Sequence, residues 1–122
     1  MQKLLYVGLG GFIGAALRYF ISTKMAVTPI PWGTLLVNVT GGILIGVIMQ
    51  LCLTTNCISP NMKLFLTTGV LGGLTTFSSF SYETVSLFGS GDIKNGVINV
   101  CLNLFLCLGG VIVGQYAALK LV

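Results

Sequence analysis

Four long apolar stretches separated by short polar interruptions make up this chain. They run from about Leu4 to Ile21, Gly33 to Leu53, Asn61 to Phe88 and Lys94 to Leu121. Each is long enough to supply the roughly 20 apolar residues a helix needs to cross hydrocarbon. Pro29 and Pro31 interrupt the pattern after the first stretch, and Trp32, a residue suited to the headgroup interface, precedes the second. The pattern predicts an all-α integral membrane protein with four transmembrane helices, organised as a single domain over residues 1–122.

Composition agrees. Hydrophobic residues make up 55% and charged residues 7%, where a soluble domain carries roughly 25% charged residues. The charges are Lys3, Arg18, Lys24, Lys63, Glu83, Asp92, Lys94 and Lys120, with none between Lys24 and Lys63. The net charge of +4 comes from scattered single residues rather than a basic patch, which argues against nucleic acid as a partner. The first stretch resembles a secretory signal, but no small-x-small cleavage site follows it, and it reads as a retained helix. Cys52, Cys57, Cys101 and Cys107 lack metal or redox spacing, and there is no histidine. With no close pair of carboxylates either, the chain does not read as an enzyme.

Glycine pairs four apart, which let membrane helices approach closely, occur at Gly10/Gly14, Gly42/Gly46, Gly69/Gly73 and Gly110/Gly114. Sequence leaves open whether they serve packing within one chain or a dimer interface as well. The glycines of the first stretch miss a dinucleotide fingerprint by one position, and the sequon Asn38-Val39-Thr40 falls inside a span. Positive charge is balanced across the two ends, with Lys3, Lys63 and Lys120 on one side and Arg18, Lys24 and Lys94 on the other. That balance permits insertion in both orientations, and hence an antiparallel dual-topology dimer.

The third stretch carries the chemistry. Gly72-Gly73-Leu74-Thr75-Thr76 is a poor continuous helix, so a break is expected between about Gly73 and Thr76. Backbone groups freed there are tolerated in a membrane only where protein or a hydrated cavity satisfies them, and half-helix ends of this kind bind ions. If helix resumes at about Thr76, Phe77 and Phe80 share one face, while Thr76, Ser79 and Glu83 follow an adjacent one. In the fourth stretch Asn99, Asn103 and Cys107 recur every four residues as a second polar stripe. The stripes suit either an ion path or hydrogen bonding that only stabilises packing.

Taken in order, Gly10-Gly11-Phe12-Ile13-Gly14-Ala15-Ala16-Leu17-Arg18-Tyr19, Gly33-Thr34-Leu35-Leu36-Val37-Asn38-Val39-Thr40-Gly41, the stretch from Gly69 to Phe80, and Glu83 resemble the Fluc (CrcB) family of fluoride channels over nearly the whole chain. The resemblance implies a dual-topology homodimer with two antiparallel pores in a bacterial inner membrane, passive fluoride exit, and a structural sodium ion at the dimer centre. It implies sodium ligation by the backbone carbonyls of Gly72 and Thr75 from both subunits. Phe77 and Phe80 would be an aromatic box, with Asn38 an amide donor beside it. Ser78, Ser79, Glu83, Asn99 and Asn103 would form a polar track, and Arg18 would draw anions to the vestibule or anchor its helix. Two places depart from the family's usual pattern: threonine is frequent where Ser79 stands, and hydroxyls or tyrosine along the face of Asn99, Asn103 and Cys107.

Fluoride is small and tightly hydrated, so a selective path replaces its water with close donors such as hydroxyls, amides and the positive edges of aromatic rings. Two other classes compete. A small dual-topology proton-coupled drug exporter needs a carboxylate in the first span, where this chain has none. A non-transporting assembly factor would explain the glycines but not the polar stripes.

Overall fold

Every regular element of the computed structural model, which describes residues 1–25 and 28–122, is helical. Three helices are long and apolar enough to cross a membrane: α1 (Gln2–Lys24), α2 (Trp32–Thr54) and α6 (Ile93–Leu121). The remaining apolar stretch is divided. It opens with α3 (Pro60–Leu64), where Ser59 caps the Met62 amide and Pro60 occupies a position with no helical N–H to supply. It continues as a π-helical run, π1 (Phe65–Leu71), and a single turn, α4 (Gly72–Leu74).

Thr75 and Thr76 are extended, at φ −79°, ψ 152° and φ −151°, ψ 115°. Helix then resumes as α5 (Phe77–Gly89), and Gly91, at φ 82°, turns the chain into α6, which Asp92 caps through the Asn95 amide. The expected break is therefore present. Helix restarts one residue later than expected because Thr76 serves as its cap, its Oγ1 accepting the Ser79 amide at 3.1 Å. The π-helical run before the break was not expected from the sequence.

Packing relies on backbone rather than on a deep side-chain core, since lipid offers helices no hydrophobic incentive to associate. α2 lies along α6, α1 lies along π1 and α4, and α5 rests on α6. A Cβ placed on Gly69 would stand 2.9 Å from Gly10 Cα, one on Gly73 2.6 Å from Gly11 O, and one on Gly42 2.9 Å from Cys107 O. Gly110 likewise meets Val39 O and Ile43. All four glycine pairs thus serve packing within the chain. Buried apolar side chains are few (Leu35, Val37, Leu71, Leu74 and Ala118), while Leu5, Phe12, Phe105 and Tyr116 face outward, as suits a lipid-solvated surface.

Candidate functional site

The break is held open by specific partners for the groups it frees. The Thr76 N–H, which in a continuous helix would close on Gly72 O, donates instead to Asn38 Oδ1 at 2.8 Å. The Ser79 N–H, which would close on Thr75 O, is taken by Thr76 Oγ1. Gly72 O and Thr75 O thereby lose their helical amide donors, and both residues border an open groove of about 550 Å³. Gly73 O, between them, accepts from Arg18 Nε at 3.0 Å.

Arg18 is thereby fixed by geometry. A guanidinium at the C-terminal end of a helical turn satisfies a stranded carbonyl and complements the local dipole. The contact ties α1 to the break across 55 positions of sequence. Arg18→Lys keeps the charge but lacks the Nε donor, and is expected to lower stability by about 1–2 kcal/mol, the low end for a hydrogen bond from a charged group at a half-exposed position. Denaturant titration of purified protein measures this; a Lys variant as stable as wild type would return Arg18 to a purely electrostatic role.

The groove brings together Asn38, Phe77, Phe80, Asn103, Cys107, Gly72 and Thr75. Phe77 and Phe80 stand one turn apart on α5 with ring centroids 5.4 Å apart and planes at 55°, and Phe77 is 79% exposed. No core demands that ring where it is. Asn38 donates to Thr76 O at 3.2 Å and to Asn103 Oδ1 at 3.1 Å, so both amide hydrogens have partners.

The other expected residues fall elsewhere. Asn99 is fully buried behind the groove. Ser78 and Ser79 gather at Thr76 Oγ1, each 3.1 Å from it. Glu83 lines a second depression of about 400 Å³ with Thr34, Tyr82 and Ser86. Its Oε1 accepts from Thr34 Oγ1 at 2.7 Å, and its Oε2 has no partner among the described residues.

Three participants escaped the sequence reading. Thr34 lies one helical turn before Asn38 on α2, a polar spacing that could have flagged it. Thr84 joins Asn99 to the Phe80 carbonyl. The backbone of Thr76 meets Asn38 at both its N–H and its carbonyl, a pairing that no sequence pattern announces.

An apolar helical protein with a broken segment, an exposed aromatic pair and a cluster of hydroxyls has clear relatives. The chain matches the family model described as CrcB-like protein, Camphor Resistance (CrcB), over residues 5–115. A fluoride-specific ion channel FluC of Clostridium novyi (strain NT) is 56% identical over 121 residues, covering 94% of each chain. Proteins of the same name from Clostridium perfringens (strain ATCC 13124) and Shewanella sp. (strain ANA-3) are 53% identical over 124 residues and 50% over 118 residues, covering 97% and 94% of each chain respectively. With likeness of this strength running along nearly its full length, and through the broken segment itself, the chain belongs to the CrcB (Fluc) family.

Proposed function

We propose that this protein is the subunit of a fluoride-selective channel that lets the ion leave the cell passively down its electrochemical gradient and so relieves fluoride toxicity. The observation that carries the reading is the Phe77–Phe80 pair, exposed to a groove beside a helix break whose hydroxyls crowd the same turn. Ring edges carry partial positive charge, and hydroxyls offer compact donors, so together they can replace fluoride's water. A lysine or arginine within the path would hold the ion too long, and the interiors of the second, third and fourth spans have neither.

Four spans per copy belong to this reading, with α3, π1, α4 and α5 together forming the third. So does an antiparallel, dual-topology homodimer in a bacterial inner membrane, surrounded by lipid. The groove is open along one side, which a second copy would close. The carbonyls of Gly72 and Thr75, which lose their helical amide donors at its rim, suit a hard cation that prefers oxygen ligands. Two such carbonyls from each of two copies would hold a structural sodium ion, which supplies fixed positive charge between the subunits.

Fluoride efflux from liposomes containing the purified protein, followed with a fluoride electrode under a voltage-clamping ionophore beside a parallel chloride assay, tests the reading. Fluoride release without chloride release is the expected result. Silence toward both ions from folded protein would overturn it.

A further inference from the structure

A directed line of hydrogen bonds runs from the helix break to the backbone of Phe80 by way of α6. Asn38 stands at its head, Oδ1 accepting from the Thr76 N–H and Nδ2 donating to the Thr76 carbonyl. A backbone N–H only donates and a carbonyl only accepts, so the Asn38 amide has a single satisfied orientation. Its other Nδ2 hydrogen then points to Asn103 Oδ1. This turns the Asn103 Nδ2 toward Asn99, where it donates to the backbone carbonyl and to Oδ1, each at 3.1 Å. Asn99 Nδ2 faces Thr84 Oγ1 at 2.9 Å, and the Thr84 hydroxyl donates to the Phe80 carbonyl at 2.7 Å. Each orientation follows from the one before it.

The line is shielded from its surroundings: Asn99 is 0% exposed, Asn103 5% and Thr84 6%. Asn99 and Thr84 lie behind the groove, and Asn103 borders it with its amide hydrogens turned away. A buried amide that loses its acceptor keeps the desolvation penalty and loses the bond, so one cut is felt along the whole line.

We propose that Asn99, Asn103 and Thr84 are positioning residues for fluoride passage. They hold Asn38 in the orientation that clamps Thr76 and tie the turn bearing Phe80 to α6, without touching the ion. This rests on the channel reading above. It also changes what α6 contributes, because its amides are committed to one another and the ion draws on hydroxyls and ring edges instead.

Thr84→Val, which keeps the shape and removes the hydroxyl, is the test, with Thr84→Ser as the variant that restores it. In the liposome assay Thr84→Val is expected to lower both the fluoride rate and the fluoride-over-chloride ratio about tenfold, the loss of one buried partner, while Thr84→Ser matches wild type. A residue that only stabilised the fold would leave the ratio of the remaining folded protein unmoved. Wild-type vesicles that conduct, beside Thr84→Val vesicles of unchanged rate and ratio, would overturn the positioning role alone. Wild-type vesicles silent toward fluoride would remove the channel reading and this role with it. Should Thr84→Val not fold, the unmodified protein decides by solid-state NMR in bilayers: fluorine-to-nitrogen dipolar transfer from bound fluoride is expected to miss the side-chain amides of Asn99 and Asn103. Transfer to either would make them ion ligands and overturn the proposal.

Discussion

Liposomes carrying Phe77→Ile/Phe80→Ile protein are expected to release fluoride about a hundredfold more slowly than wild type. Each favourable ring-edge contact is worth up to roughly 1.5 kcal/mol, and about 1.4 kcal/mol corresponds to one decade of rate. Isoleucine keeps the apolar volume and removes the quadrupole, so the variant isolates electrostatics from simple filling of space. Phe77 is 79% exposed and Phe80 half-buried, outside the buried core, so the double change removes little core. Either single variant is expected to fall about tenfold. A double variant that elutes and melts like wild type and still conducts fluoride at the wild-type rate would rule out the rings as solvating groups, and would leave the hydroxyls around Thr76 as the only local donors.

The break, the aromatic pair and the glycine contacts were legible in the sequence because each depends on local chemistry or a short period. Gly72-Gly73 and Thr75-Thr76 weaken helix wherever they occur, and Phe77 and Phe80 share a face as soon as helix resumes. What lay beyond reach was the pairing of groups distant in the chain. Asn38 looked like a free donor, yet its amide is closed on Thr76 and Asn103, residues 38 and 65 positions away. Asn99 and Asn103 read as one stripe, but Asn99 lies wholly inside while Asn103, though buried, borders the groove. Arg18 reaches Gly73 O across 55 positions, a contact that no local pattern announces. The π-helical run has no residue signature here: Phe65-Leu66-Thr67-Thr68 would suit an α-helix equally well.

Gly14→Ala is expected to prevent accumulation of folded protein, although it adds only one methyl group. That methyl would collide with Val70 O and lie 2.8 Å from Leu74 N, both of them backbone atoms that no rotamer change can move. Overpacking a core ordinarily costs about 1–3 kcal/mol, and a clash between two backbones belongs at or above the top of that range. Gly8→Ala and Gly11→Ala are the matched controls, since a Cβ at either position meets nothing within 4 Å. Those two should be neutral or stabilising by up to about 1 kcal/mol, the helix-propensity gain of alanine over glycine. Denaturant titration together with size-exclusion profiles separates the outcomes, and a Gly14→Ala protein as stable as the Gly8→Ala control would mean that α1 and the third segment do not pack as closely as described. The consequence reaches the site directly. Val70 and Leu74 bracket Gly72 and lead into Thr75, so any shift of π1 and α4 that relieved the new methyl would move the two stranded carbonyls and the Arg18 contact together. Gly14→Ala protein rescued into a folded state, for instance by low temperature, should therefore still fail to pass fluoride, whereas the Gly8→Ala control should conduct as wild type does.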